Sequence, residues 1–99
     1  MEINLKGKIS LVTGATRGIG RAIATALAAA GSDVAFTYKS SEEKALALKA
    51  ELEAMGVRSL AICADAASFS EAQTTIDEVL KTLGGLDILV NNAGITRDK

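Results

Sequence analysis

The sequence contains no histidine and a single cysteine, and these two shortages narrow the chemistry that it can support. Histidine is the commonest metal ligand and the commonest general base, so its absence argues against a metal site. A lone cysteine excludes a disulfide within the chain. Cys63 stands in the apolar segment 60–63, and we interpret it as a small core residue rather than a reactive thiol.

A strong charge of either sign and a long apolar run are also missing. The net charge is -1, which argues against nucleic acid or an anionic membrane surface as the main partner. The first eight residues, MEINLKGK, are charged and contain no apolar signal core. The low-polarity run 22–31 includes Thr25 and is far shorter than the ~20 residues of a membrane span. We therefore expect a cytoplasmic protein of one domain at most.

Short apolar segments alternate with segments of helical periodicity along the chain. The apolar segments 9–13, 34–38, 59–64 and 86–90 read as strands, and their continuous apolar character is typical of a parallel sheet covered on both faces. The order βαβαβαβ predicts an α/β fold with a doubly wound parallel sheet, a Rossmann fold. The expected strand order is 3-2-1-4, with a crevice between the first and fourth strands.

Three segments between the strands repeat apolar residues at helical spacing, and each is followed by glycine. We expect these residues to face the core: Ile19, Ile23, Leu27 and Ala30; Ala45, Leu48, Leu52 and Met55; and Ile76, Val79, Leu80 and Leu83. Gly31, Gly56 and the pair 84–85 would end the helices.

Two of these helices are preceded by serine, with glutamate three residues later. Ser40 with Glu43, and Ser68 with Glu71, match a capping box. In such a box the serine hydroxyl and the glutamate carboxylate each accept a free backbone N–H of the first turn.

The segment TGATRGIG, residues 13–20, places three glycines between the first strand and the first helix. A helix N-terminus offers free N–H groups and a partial positive charge, which suit a phosphate. Gly14 would allow a tight turn, Gly18 a close approach of the backbone to a pyrophosphate, and Gly20 close packing of the helix on the sheet. The spacing is G-x-x-x-G-x-G and differs from the common G-x-G-x-x-G, so a glycine-rich turn without a ligand stays open as an alternative.

The end of the second strand lacks the acid with which NAD-binding folds hold the ribose 2′-OH. Tyr38 and Lys39 stand there, and Asp33 lies at the opposite end of the strand. Arg17 and Lys39 could reach a 2′-phosphate, which a carboxylate would repel. The pattern favours NADP(H) over NAD(H), although Lys39 taken alone reads equally as a solvated loop charge.

Polar residues also follow the third and fourth strands. Asp65 could accept a hydrogen bond from an adenine amino group, or could be a turn residue at the strand end. In Asn91-Asn92-Ala93-Gly94 we assign Asn91 a structural role between strand ends and Asn92 a contact with the ligand.

These motifs, TGATRGIG, Asp65 and NNAG, resemble the short-chain dehydrogenase/reductase superfamily in their order and spacing. Residues 13–23 and 90–98 resemble most closely the bacterial 3-oxoacyl-[acyl-carrier-protein] reductases of fatty-acid synthesis. The resemblance implies NADPH-dependent reduction of a β-keto thioester carried by acyl carrier protein, and a homotetramer.

The resemblance also implies a set of cofactor-binding residues. The pyrophosphate would lie on Gly14, Ala15, Thr16, Arg17, Gly18, Ile19 and Gly20. The 2′-phosphate would lie near Arg17 and Lys39, with Tyr38 at the adenosine end of the crevice. The adenine would lie beside Asp65 and Ala66, and the ribose against Asn92, Ala93 and Gly94.

The catalytic serine and the Tyr-x-x-x-Lys motif of that family have no counterpart in these 99 residues. Tyr38, the only tyrosine, is followed four positions later by Glu42. We therefore expect no catalytic residue in the chain, and interpret residues 1–99 as the dinucleotide-binding portion of a single-domain reductase without its catalytic half. The alternatives are a non-catalytic binding or assembly module, which could dimerise through the edge of the fourth strand, and a reductase of another ketone or alcohol.

Overall fold

The computed structural model describes residues 3–16 and 18–92. Within these ranges, strands and helices alternate: β1 (Ile9–Val12), α1 (Gly18–Ala29), β2 (Asp33–Tyr38), α2 (Glu42–Ala54), β3 (Ser59–Cys63), α3 (Phe69–Leu83) and β4 (Ile88–Val90). All strand pairings are parallel, and the order across the sheet is β3-β2-β1-β4. The predicted doubly wound parallel sheet and its strand order are confirmed. The strand bounds differ from the predicted ones by one or two residues.

The alternation of side chains along the strands builds one core on each face of the sheet. Val12, Val34 and Phe36 pack with α1 and α2 on one face. Leu11 and Ala35 point to the other face, where Val79 and Leu83 of α3 cover them. Both faces of the central strands are therefore apolar, as the continuous apolar segments predicted.

The buried stripe of α1 consists of small residues. Gly20, Ala24 and Ala28 face the sheet at a spacing of four, while Ile23 and Leu27 are only partly buried at its margin. The prediction that Ile19 belongs to the buried stripe is wrong, because this side chain is exposed. Small residues permit a short distance between α1 and the sheet, and this shifts the buried face by one position.

The capping boxes are confirmed in part. At α2 the N-cap is Ser41, one residue later than predicted, and its side chain makes no capping hydrogen bond. Glu43 is then too early in the helix for a capping box with Ser40, and that prediction is wrong. At α3 the Ser68 hydroxyl caps the helix as predicted and accepts from the Glu71 N–H over 3.4 Å. The Glu71 carboxylate, however, accepts from the backbone of Asp65 and not from that of Ser68.

Three further residues predicted to be buried are exposed. Met55 forms the C-cap of α2, beyond the turn that faces the sheet. Leu80 lies beside the buried line of Thr75, Val79 and Leu83 on α3. Cys63 is exposed because it ends β3, the edge strand, along which burial decreases from the first residue to the last.

Arg58 joins three elements at the amino edge of the sheet. Its backbone N–H donates to Asp33 Oδ1 over 2.8 Å, its Nε to Asp33 Oδ2 over 2.9 Å, and its Nη2 to the Leu83 carbonyl over 3.1 Å. Asp33 begins β2 and Leu83 ends α3. The Asp33 carboxylate therefore lies at the end of β2 that is far from the glycine loop, residues 13–20, as predicted. There it binds Arg58.

None of the helices in the described part of the chain combines the length and the apolar composition of a membrane span.

The Arg58 contacts predict a measurable contribution to stability. Arg58→Met retains the aliphatic stem but removes the side-chain donors to Asp33 and Leu83, and should lower the free energy of unfolding by about 1–2 kcal/mol. The matched control Lys49→Met removes an exposed pair with Glu53 inside α2 and should cost about 0.5 kcal/mol or less. Urea unfolding followed by circular dichroism compares the two, and equal losses would contradict the prediction.

Candidate functional site

The carboxyl ends of the strands bring the predicted site residues to one edge of the sheet. The glycine loop leaves β1 between β2 and β4. Lys39 follows β2, Asp65 lies two residues beyond β3, and Asn91 and Asn92 follow β4. This edge is the crevice at which the strand order reverses, the usual ligand site of such sheets.

The glycine loop turns the chain into the open N-terminus of α1. Gly14 has a φ of +66° and Gly18 a φ of +63°, a conformation that L side chains rarely adopt. A Cβ added at Gly18 would meet no described atom within 4 Å. The first turn of α1 contains no acidic residue. Its free N–H groups and its positive dipole end therefore offer both space and charge for a phosphate.

Gly20 is required by close packing. A Cβ at this position would overlap the Gly14 carbonyl oxygen and would lie 2.5 Å from Asn92 Nδ2 and 3.0 Å from Ala15 Cα. The predicted role of Gly20 in close packing is thus confirmed. The neighbours are the loop backbone and Asn92, where we had expected the sheet.

Thr37 of β2 holds the start of the glycine loop, a role that no sequence motif indicates. The Gly14 N–H donates to Thr37 Oγ1 over 3.0 Å, and the Ala15 N–H donates to the Thr37 carbonyl over 3.1 Å. Threonine is common in strands because of its β-propensity, so the sequence gives no signal that this threonine also binds the loop.

The two asparagines after β4 both contact the strand β1 or its loop. Thr13 Oγ1 donates to Asn91 Oδ1 over 3.2 Å, which is the structural link between strand ends predicted for Asn91. Asn92 Nδ2 donates to the Gly14 carbonyl over 3.0 Å, and the Asn92 side chain is buried. Its Oδ1 finds no hydrogen-bond partner among the described residues. The structure therefore gives Asn92 a link to the loop, while its contact with a ligand stays a prediction.

Lys39 and Asp65 lie together at the outer corner of this edge. The Lys39 ammonium is 3.7 Å from Asp65 Oδ2, and the two side chains are 75% and 39% exposed. Asp65 Oδ1 accepts from the Ala67 N–H over 3.0 Å, and the Asp65 N–H donates to Glu71 Oε1 over 2.7 Å. Such an exposed pair is weak and exchanges readily with another anion. Lys39 is therefore available to a phosphate that approaches this corner.

Tyr38 contributes no negative charge to the corner at neutral pH. Desolvation raises the pKa of its phenol above the ordinary 10.0, and the nearby Glu42 and Cys63 act in the same direction. The half-buried ring packs against the core on the α1 and α2 face. The end of β2 thus combines a neutral phenol with a cation, in place of an acid.

A small apolar pocket of about 120 Å³ opens on the α3 side of the same edge. Residues of all four strand ends and of α3 line it, among them Thr13, Thr37, Ala66, Thr75 and Asn91. Ala66, predicted beside the adenine, is exposed at its margin.

Some of the predicted residues cannot be placed. Arg17, Ala93 and Gly94 lie outside the described residues. Of the others in the loop, Ala15 is buried, Thr16 is half-buried, and Gly18 and Ile19 are exposed at the start of α1.

A family model matches most of the chain. Residues 8–99 match the model of the short chain dehydrogenases. The chain belongs to this family. The parallel sheet with the order β3-β2-β1-β4 is thus the sheet of a short-chain dehydrogenase.

Individual relatives agree with this assignment. The 3-oxoacyl-[acyl-carrier-protein] reductase FabG of Staphylococcus aureus is 55% identical over 91 residues, which are 92% of this chain and 37% of the relative. A short chain dehydrogenase from Burkholderia cenocepacia, crystallised in complex with NADP, is 54% identical with a TM-score of 0.91, over 97% of this chain and 39% of that one. A blue fluorescent protein from a metagenomic library, in complex with NADPH, is 50% identical with a TM-score of 0.90, over 95% and 39%. The chain therefore spans less than half the length of these relatives.

The packing around Gly20 predicts that even alanine is not tolerated there. Gly20→Ala should lower the free energy of unfolding by about 1–3 kcal/mol through overpacking, although alanine is the better helix former. In the control Gly85→Ala the added Cβ would lie 3.6 Å from Ile9 Cδ1, an ordinary contact, so stability should hardly change. Thermal unfolding of both variants measures the difference, and a Gly20→Ala protein as stable as the wild type would show that α1 can move away from the loop.

Proposed function

We propose that this chain is the cofactor-binding part of an NADP(H)-dependent short-chain reductase. The observation that carries the proposal is the open N-terminus of α1 beside a β2 end that bears Lys39 and no acid. The first turn of α1 suits the pyrophosphate, through Gly18, Ile19 and the loop before them. The NADP and NADPH in the two solved relatives support the same assignment.

The 2′-phosphate would lie at the corner formed by Tyr38, Lys39 and Asp65. Lys39 would exchange its exposed contact with Asp65 for the more highly charged phosphate. Asp65 and Ala66 would then border the adenine. Arg17, from the loop, would be the second cation on the phosphate, and Asn92 to Gly94 would border the ribose.

We further propose that the substrate of the whole protein is a 3-oxoacyl thioester carried by acyl carrier protein. The 55% identity to the Staphylococcus aureus reductase supports this substrate class over other ketones. Reduced nicotinamide supplies the hydride in such a reaction, and a protein acid must protonate the oxygen that receives the negative charge. No residue of this chain has the family's Tyr-x-x-x-Lys pattern, so we assign to it binding and orientation of the cofactor. We expect the parent in the cytoplasm as a homotetramer.

A non-catalytic module is the second candidate. In the described residues β4 pairs with β1 alone, and Leu89 on β4 is exposed. An apolar strand edge of this kind can pair with a second copy of the chain. The activity and cofactor experiments below separate this candidate from the first.

The proposal predicts that the corner after β2 determines the choice of cofactor. The double variant Tyr38→Asp with Lys39→Ala should lower the affinity for NADPH relative to NADH by about tenfold or more, since it replaces a charge-assisted contact with a repulsion. Lys49→Ala removes a half-buried lysine of α2 that pairs with Glu53, and it should leave the ratio unchanged. Titration of each protein with both cofactors gives the ratio. A double variant that still prefers NADPH would mean that the 2′-phosphate is bound elsewhere.

The 99-residue chain alone should not reduce an acetoacetyl thioester above background when NADPH is present. Loss of acid catalysis alone removes about 10²–10⁴-fold in rate, and nothing positions the substrate. Consumption of NADPH is followed by absorbance, with the full-length Staphylococcus aureus reductase as positive control. Turnover that survives purification and disappears in Gly18→Leu would reveal a catalytic group within the chain.

A further inference from the structure

We propose that Thr37 is a positioning residue for cofactor binding, acting through the glycine loop. This inference rests on the proposed function. Thr37 is 3% exposed and uses both its hydroxyl and its carbonyl to hold the N–H groups of Gly14 and Ala15. These two amides are therefore occupied before any ligand arrives.

The peptide that links Gly14 to Ala15 is held from both sides. Its N–H, that of Ala15, donates to the Thr37 carbonyl on β2, and its carbonyl, that of Gly14, accepts from Asn92 beyond β4. The Thr37 hydroxyl holds the N–H of the preceding peptide, that of Gly14. The two strands that flank β1 thus determine the orientation of the Gly14–Ala15 peptide plane, and Thr37 also holds the plane before it. Because the Gly14 carbonyl packs directly on Gly20, that orientation also determines where the first turn of α1 lies.

The contacts divide the loop into a supporting part and a binding part. Gly14 and Ala15 supply no free N–H, so the phosphates must be held by amides further along, at Gly18 and Ile19, where α1 begins. The first N–H groups of a helix have no partner inside the helix. Thr37 contacts no phosphate itself; it keeps the loop in the one arrangement in which those amides point together.

Removal of the Thr37 hydroxyl should therefore lower the affinity for NADPH and for NADH equally. In Thr37→Val the Gly14 N–H loses its buried acceptor, the loop leaves the binding arrangement for part of the time, and the apparent affinity falls by that fraction. We expect a loss of about 5- to 30-fold for NADPH and for NADH alike, because the pyrophosphate is common to both. Thr37→Ser retains the hydroxyl and should bind within about twofold of the wild type.

Ser32 provides a control at the opposite end of the same strand. It is fully buried, and its hydroxyl hydrogen-bonds with Ser10 Oγ over 2.7 Å just before β2 begins. Ser32→Ala removes a buried hydroxyl, as Thr37→Val does, but far from the glycine loop. It should leave the affinity for both cofactors unchanged, whatever it does to stability.

The test is an NMR titration of the ¹⁵N-labelled 99-residue chain with NADPH and with NADH, which measures weak binding. Equal losses for the two cofactors in Thr37→Val, rescue by Thr37→Ser and no loss in Ser32→Ala support the inference. Wild-type affinity in Thr37→Val, an equal loss in Ser32→Ala, a loss confined to NADPH, or failure of serine to rescue would each overturn it. Absence of any binding by the wild type would overturn the proposed function and this inference with it.

Amide hydrogen exchange on the wild type tests, without any variant, which amides of the loop are occupied and which are free. The inference can therefore be tested even if Thr37→Val does not fold. Gly14 and Ala15 should be protected in the free protein and change little on addition of NADPH. Gly18 and Ile19 should exchange freely in the free protein and gain protection when either NADPH or NADH is added. Rapid exchange of Gly14 and Ala15 in the free protein would contradict the role of Thr37, even where NADPH binds.

Discussion

The contact between the Gly14 carbonyl and the first turn of α1 is the constraint on which the candidate site depends. It leaves no room for a side chain at position 20, and the small residues at 24 and 28 continue the same close approach along the helix. The helix N-terminus is thereby brought to the carboxyl edge of β1, between β2 and β4. The position of the open helix N-terminus is thus a result of packing as much as of local loop conformation.

Most of the fold could be predicted because its signals are local. Continuous apolar strands, helical periodicity and terminal glycines require no knowledge of distant contacts, and they led to the correct strand order. The wrong predictions concern residues whose burial depends on their position within the assembled layers of helices and sheet. Ile19 and Leu80 have the right spacing but lie beside the buried line, and Cys63 has apolar neighbours in sequence but ends an edge strand. Hydrophobicity alone cannot distinguish an edge strand from a central one.

The types of residue that form the candidate site could be predicted more readily than the hydrogen-bond partners of those residues. The glycines and the missing acid after β2 have direct chemical meanings, so they predicted a phosphate-bearing cofactor, while the strand order predicted the crevice. Thr37 could not be found, because its role depends on where the parallel register places it against the loop. The same holds for Glu71, whose spacing from Ser68 predicted a capping box but whose carboxylate binds the Asp65 backbone. In both residues the sequence specifies a hydrogen-bonding group, and tertiary structure selects its partner.

The link from Asn92 to Gly14 joins residues 78 positions apart and has a consequence for synthesis on the ribosome. The glycine loop is translated before β4, yet the peptide that links Gly14 to Ala15 acquires both of its partners, Thr37 and Asn92, only after β4 has been made. At a translation rate of ~5–20 residues per second, that interval is roughly 4–16 s. During this time the nascent chain carries the motif of a nucleotide site but not its finished geometry. The site therefore matures at the last step of assembly of this sheet.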